Sequence, residues 1–219
     1  MKPVTHEALD LRRAPESFGD RMAWRMVKVM RVFADLFFRK RYGHRAVVLE
    51  TVAAVPGMVG GLLQHLKALR HIRDDQGWIR ELLDEAENER MHLMTFIKIA
   101  QPSALERGLI VFAQGVFYHA YFWLYLFAPR VAHRFVAYLE EEAVVSYTRY
   151  LDAIDAGEME NVPAPQIARE YWSLPADARL RDVVVKVRED EAGHRDVNHR
   201  FADAMRTGAT VKAGDRVKA

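Results

Sequence analysis

The sequence predicts an all-α protein: a four-helix bundle with a dinuclear carboxylate core and additional membrane-binding helices around it. Two observations point there. Two Glu-x-x-His pairs, Glu89 with His92 and Glu191 with His194, lie far apart within helix-like runs, and positions i and i+3 share one face of a helix. Each pair can therefore present a carboxylate and an imidazole to a single ion. Glu50 and Glu140, one on each of two further helices, complete the ligand set of the di-iron and di-manganese carboxylate bundles.

Composition narrows the chemistry. The 219 residues suffice for one domain with a substantial core and are too few for two comfortable ones. Cysteine is absent, which excludes disulfides, thiolate metal sites and thiol-based redox control, and leaves oxygen and nitrogen as the metal ligands. Residues 1–20 contain Glu7, Asp10, Glu16 and Asp20 and no apolar run, unlike a secretory signal or an organelle transit peptide. A bacterial protein or a trimmed mature chain is expected. The formal net charge is +2, and no nucleic-acid partner is expected. Residues 12–45, however, hold ten Lys/Arg against three Asp/Glu, an asymmetry that suggests an anionic partner for this segment.

Residues 1–20, with Pro3, Pro15 and Gly19, read as an extended arm, and residues 21–205 as one helical domain. From Asp20 a basic amphipathic helix is predicted, with Arg21, Arg25, Lys28 and Arg31 on one arc and Met22, Met26, Val29, Met30, Phe33, Leu36 and Phe37 on the other. Such a helix can lie in a membrane interface, basic face to the headgroups. Alone, the pattern fits equally an ordinary helix packed on a protein core. The next helix covers residues 47–72 despite Pro56, Gly57, Gly60 and Gly61, whose small neighbours allow close helix contact or kinking. Glu50 sits there among apolar residues, where a carboxylate is expensive unless paired or metal-bound.

After a turn at residues 74–77, a helix over residues 78–101 carries Glu89 and His92, and Pro102 stops it. Residues 108–129 have no formal charge unless His119 is protonated, and approach transmembrane length. The helix over residues 130–156 contains Glu140, Glu141 and Glu142. Val136, Glu140, Ala143, Tyr147 and Tyr150 share one face, so Glu140 is the ligand candidate, and a solvated acidic cluster is the reading for Glu141 and Glu142. Residues 157–178 form a connector carrying Tyr171 and Trp172. The last helix, residues 180–205, holds Glu191 and His194 and gives way to a mobile basic tail over residues 206–219.

With 16 Glu and 9 His, chance alone gives about 0.7 Glu-x-x-His pairs, so the weight rests on helical context and on the order of the four helices. Carboxylates with two imidazoles suit iron or manganese. Histidines 6, 44, 65, 71, 119, 133 and 199 lack the spacing and are assigned to surface or core. Structural ion pairs between bundle helices are the alternative.

The chain resembles the alternative oxidases, di-iron ubiquinol oxidases bound to one leaflet of respiratory membranes. The matching blocks are Leu-Glu-Thr at 49–51, Asn-Glu-Arg-Met-His at 88–92, Leu-Glu-Glu-Glu-Ala at 139–143 and Arg-Glu-Asp-Glu-Ala-Gly-His-Arg at 188–195, within a likeness running over residues 20–204. The resemblance implies a ferritin-like bundle with two irons on Glu50, Glu89, His92, Glu140, Glu191 and His194, the same six that helical spacing selects. It implies a redox-active tyrosine at Tyr147, an outer network that includes Asn88, Asp190, Tyr171 and Trp172, and a quinol pocket at Arg45, Leu49, Leu139, Glu142 and Ala143. It also implies a homodimer contact through His65, Leu69, Arg70, Arg90, Leu93 and Gln114. Three departures stand out. There is no counterpart of the cysteine through which plant members respond to keto acids, and Gly193 and Ser146 replace bulkier residues.

The activity so implied is oxidation of ubiquinol coupled to reduction of dioxygen to water, without proton pumping. Tyr147, on the inward face with Glu140, could supply an electron and a proton; the plain alternative is a core tyrosine bonded to Asp190. Rivals are another di-iron bundle, such as a quinone-biosynthesis hydroxylase, and a ferritin-like iron-binding protein. Since ligands precede and follow residues 108–129 and must meet at one site, that helix is expected against one membrane leaflet or inside the bundle. The expected location is the cytoplasmic face of a bacterial membrane, or the inner mitochondrial membrane in a eukaryote.

Overall fold

The computed structural model describes Leu9, residues 11–38 and residues 41–208. The rest of the expected N-terminal arm, residues 1–8 and 10, and residues 209–219 of the expected tail lie outside the described residues. Seven helices follow in order among them: α1 (Phe18–Phe38), α2 (Tyr42–His71), α3 (Trp78–Ala100), α4 (Ala104–Phe127), α5 (Pro129–Asp155), α6 (Gln166–Tyr171) and α7 (Leu180–Thr207). No strand is present among the described residues beyond an isolated bridge between Pro163 and Arg179.

Local chemistry sets most of the boundaries. At the start of α1, Ser17 and Asp20 exchange backbone-to-side-chain hydrogen bonds of 3.1 Å in the manner of a capping box. Ser103 and Glu106 do the same for α4. Pro129 occupies the first turn of α5, where its missing N–H costs nothing. Gly208, at φ 68°, takes the left-handed conformation that closes α7. Sequence reading misses α6, a single short helix inside the expected connector, and starts α2 late, at 47 rather than at Tyr42.

Helices α2, α3, α5 and α7 make a ferritin-like four-helix bundle in which α2 packs chiefly on α3 and α5 on α7. A β-carbon at Gly57 of α2 would stand 2.4 Å from the Leu82 carbonyl oxygen of α3, so the backbones approach too closely for any side chain there. This is the close contact the glycines foreshadow. One apolar cluster, with Phe96, Tyr147, Tyr150, Leu180, Val183, Val184 and Val187, fills the bundle beside the connector. Another joins Ala23 and Val27 of α1 to Tyr121 and Tyr125 of α4 and Phe135, Val136 and Tyr138 of α5. Both outer helices thereby pack on α5.

Those two helices are apolar on the outside as well. Met22, Met26, Val29, Phe33, Leu36 and Phe37 of α1 are exposed, as are Leu105, Leu109, Phe112, Val116, Trp123 and Phe127 of α4. By length and composition α2 and α4 could each cross a membrane, but α2 is mostly buried inside the bundle, whereas α4 is mostly exposed. Unpartnered apolar surface of this extent marks a contact site. Of the four cations expected to face headgroups, Arg21 and Arg25 are exposed, whereas Lys28 and Arg31 turn inward to the carboxylate of Glu142. That correction follows from burial: Glu142 is nearly covered, and an ionised carboxylate there requires cations.

Candidate metal centre

The six predicted ligands come from the four bundle helices, and all are brought to the middle of the bundle. Glu50, Glu89, His92, Glu140 and Glu191 are almost fully inaccessible to solvent. One ligand atom from each of Glu50, Glu89, His92 and Glu191 lies within 4.8 Å of the others. Nδ1 of His92 is 3.2 Å from Oε2 of Glu50 and 3.4 Å from both Oε2 of Glu89 and Oε1 of Glu191. Nδ1 of His194 is 2.7 Å from Oε1 of Glu89 and 3.8 Å from Oε2 of Glu191. Glu140 reaches the same cluster through Glu191, carboxyl to carboxyl.

Both oxygens of Glu89, Oε2 of Glu191 and Nδ1 of His194 are buried without a hydrogen-bond partner. Each such atom costs about 1–3 kcal/mol if left unmet. Four carboxylates and two imidazoles crowded together, with their lone pairs facing one another, fit cations of the hard or borderline type. Burial pushes the carboxyls of Glu50 and Glu140 well up, and the charges of Glu191 and Glu89 push them further. Burial also opposes ionisation of Glu89 and Glu191, but the two imidazoles outweigh it and hold both below the ordinary carboxylate range. Both imidazoles are raised well above the usual histidine value: burial opposes this, and the surrounding carboxylates overcome it.

The predicted outer network assembles around Asp190. Its Oδ2 accepts from Nε1 of Trp172 at 2.8 Å and from Nδ2 of Asn88 at 3.1 Å, and lies 3.3 Å from Nε2 of His92. Asn88 also donates to the Tyr171 hydroxyl at 2.9 Å. A carboxylate behind an imidazole in this way fixes the ring and sets which nitrogen faces the ion. The buried hydroxyl of Tyr147 donates to Oε1 of Glu50 and not to Asp190, correcting the plain alternative read from the sequence. Burial, then the charge of Glu50, raises that phenol well above its ordinary value.

The five residues of the expected quinol pocket lie on α2 and α5 toward α1. Arg45 is buried and donates to Asp35 of α1, and Glu142 takes Lys28 and Arg31 of the same helix. Leu49, Leu139 and Ala143 are half-buried. The solvated reading of Glu141 and Glu142 is wrong, because both are buried and paired. Oε1 of Glu141 accepts from the Arg13 backbone at 2.9 Å and lies 3.0 Å from Nε2 of His199. Among the expected dimer-contact residues, His65, Leu69, Arg70 and Arg90 are exposed. Leu93 packs on the core, and Gln114 donates to the Thr51 carbonyl at 3.1 Å. A β-carbon at Gly193 would meet nothing within 4 Å.

Sequence reading missed a second polar line. Nε2 of Gln64 donates to the Tyr125 hydroxyl at 3.0 Å, which lies 3.0 Å from Nε2 of His133. Nδ1 of His133 is 2.9 Å from Oδ1 of Asn198, whose Nδ2 donates to Oε2 of Glu85 at 2.9 Å. Taken together, these bonds assign the proton of His133 to Nδ1, and every donor then points toward Glu85. Burial drives His133 down to about 4 and Glu85 up to about 7. The five residues sit on five different helices, so no local spacing announces them.

The alternative oxidase family profile matches residues 4–203. The chain is similar to alternative oxidase 3, mitochondrial, of Glycine max, at 58% identity over 198 residues, covering 90% of this chain and 61% of that protein. It is similar to the mitochondrial ubiquinol oxidase of Mangifera indica, at 55% over 207 residues, covering 94% of this chain and 65% of the relative. The mitochondrial ubiquinol oxidase of Batrachochytrium dendrobatidis is 58% identical over 195 residues, covering 89% and 62%. The chain thus spans about three-fifths of the length of the curated relatives it matches. On a profile match running nearly end to end and a bundle that gathers the four glutamates and two histidines, this chain belongs to the alternative oxidase family.

Proposed function

We propose that this protein is a membrane-bound quinol oxidase, coupling ubiquinol oxidation to four-electron reduction of dioxygen to water at a non-haem di-iron centre without pumping protons. The observation that carries the reading is the set of buried, unmet ligand atoms on Glu89, Glu191 and His194 at the meeting point of four helices. Relatives named ubiquinol oxidase support the substrate. Glu50, Glu89, His92, Glu140, Glu191 and His194 hold the irons. Bound there, the irons supply paired electrons to dioxygen.

The chain's own residues do the rest. Asp190 keeps the His92 ring turned so that Nδ1 faces inward. Tyr147 holds Oε1 of Glu50 and stands as the nearest phenol able to give an electron and a proton. Arg45, Leu49, Leu139, Glu142 and Ala143 take the quinol head beneath α1. Apolar surfaces of α1 and α4 rest in one leaflet of a respiratory membrane, with Arg21 and Arg25 toward headgroups. This is the cytoplasmic face in a bacterium or the inner mitochondrial membrane in a eukaryote. Two copies pair through the exposed face of α2 and α3 that carries His65, Leu69, Arg70 and Arg90.

Oxygen uptake driven by added ubiquinol in the presence of cyanide tests the proposal. Uptake that persists with cyanide is expected. Iron-loaded protein that oxidises no quinol refutes it.

A further inference from the structure

Aromatic side chains lead away from the ligand cluster in two directions. On one side Tyr147 stacks on Phe96 at 5.7 Å between ring centroids, Phe96 on Tyr150 at 6.4 Å, and Tyr150 on Tyr42 at 5.2 Å. On the other, His92 stacks on Trp172 at 5.7 Å, and Trp172 meets Tyr171 edge-on at 5.0 Å. The two differ in what losing an electron would require. An oxidised tyrosine or tryptophan is strongly acidic, so it carries charge readily only where its proton has somewhere to go. The Tyr150 hydroxyl is buried with no partner, and Phe96, a ring far harder to oxidise, stands between it and Tyr147. Trp172, by contrast, donates its indole N–H to Asp190. Tyr171 is 40% exposed and takes a hydrogen bond from Asn88, so its phenolic proton has open water beside it.

We propose that Trp172 and Tyr171 form an exit by which oxidising equivalents leave the centre for the aqueous surface when no quinol arrives to meet them. This rests on the oxidase reading given above. The need is plain from the surroundings. Tyr147 bonds directly to Glu50 of the cluster, and Met91, next to His92 in the chain with its sulfur 3.4 Å from the Arg90 guanidinium, is a readily oxidised side chain close by in sequence. In each event Trp172 gives one electron toward the centre, where dioxygen is the ultimate acceptor, while its N–H stays on Asp190. Tyr171 then returns one electron to Trp172 and releases its phenolic proton to water. A water-soluble reductant of the ascorbate class restores Tyr171 with one electron and one proton. No protein bond is changed over the cycle, and four such events oxidise four reductant molecules by one electron and one proton each while one dioxygen becomes two waters.

The test uses the purified full chain loaded with ferrous iron and exposed to oxygen without quinol, with and without ascorbate. Oxygen adducts are then mapped by peptide mass spectrometry, and iron content is measured alongside. In the parent protein, adducts on Tyr171 and Trp172 should exceed those on Met91 severalfold, and ascorbate should suppress them severalfold. In Tyr171→Phe the ascorbate protection should be lost and adducts should move inward to Trp172 and Met91. A parent protein without adducts at either aromatic residue overturns the exit. So does a Tyr171→Phe variant that ascorbate protects as well as the parent. Quinol-driven oxygen uptake reports separately on the oxidase reading, since the adduct pattern needs only ferrous iron and oxygen.

Discussion

Nδ1 of His194 lies 2.7 Å from Oε1 of Glu89, yet neither atom has a hydrogen-bond partner. At that distance only misalignment prevents a bond. Without metal, burial and the neighbouring carboxylates raise Glu50 and Glu140, while the two imidazoles, themselves raised by the carboxylates, lower Glu89 and Glu191.

On the di-iron reading proposed above, loading iron should displace protons from the groups whose affinity for them is raised, Glu50, Glu140, His92 and His194. Titration of metal-free protein with ferrous iron in weak buffer at neutral pH should acidify the solution, and iron affinity should fall as pH is lowered. Calorimetry in buffers of different ionisation enthalpy counts the protons. Binding with no proton release would mean the metal lies elsewhere.

Tyr147→Phe should abolish quinol-driven oxygen uptake while leaving the iron content intact. Removing the hydroxyl strips Oε1 of Glu50 of its donor, so the metal-free protein should also lose about 1–3 kcal/mol of stability. Turnover near the parent level would reduce Tyr147 to a structural tyrosine.

Glu85, beside the cluster and within the influence of His194 and Glu89, offers a pH signature of its own. Its carboxyl sits at about 7 in the fold, above its ordinary value of 4.5, so the folded protein holds a proton that the unfolded chain has released. The stability this contributes is complete below pH 4.5 and is lost as pH rises through 7. Glu85→Gln mimics the protonated form and keeps an acceptor for Asn198. Metal-free variant should therefore gain on the parent across that interval, by about 3 kcal/mol in all. Denaturation at a series of pH values checks it, and a pH-independent difference would rule the assignment out.

Attachment to one leaflet is tested by single cysteines at Gln101 and Glu160, both exposed. One residue precedes α4 and the other follows α5. Both should label from the same side of sealed vesicles. Labelling from opposite sides would mean that α4 crosses the bilayer.

The gathering of the six residues at one place was legible because each Glu-x-x-His pair is written within a single helical turn. Two such pairs, with Glu50 and Glu140 in order on two further helices, left little freedom for the bundle. Glu141 and Glu142 were misread because adjacency suggests a common solvated face, and only the helices packed on α5 decide otherwise. The line from Gln64 to Glu85 was invisible for a related reason. Its members sit on five helices and are joined only by tertiary packing. The short helix α6 went unseen because six residues carry too little periodicity, although it is what brings Tyr171 to Asn88 and Trp172 to Asp190.

The three consecutive glutamates of α5 also bear on how the chain finds its fold. Glu140 meets Glu191 in the central cluster, Glu141 meets His199 and the Arg13 backbone, and Glu142 meets Lys28 and Arg31. Successive residues on a helix are separated by roughly 100° of rotation, so the three point along three bearings fixed by different neighbours. Were α5 to roll by one residue in one sense, Ala143 would replace Glu142 opposite Lys28 and Arg31; in the other sense, Leu139 would replace Glu140 beside Glu191. Apolar packing alone discriminates weakly among such rolled arrangements, since small and large side chains can trade places around a helix. The acidic triplet works as a rotational key, excluding the near-native alternatives that hydrophobic collapse would otherwise admit.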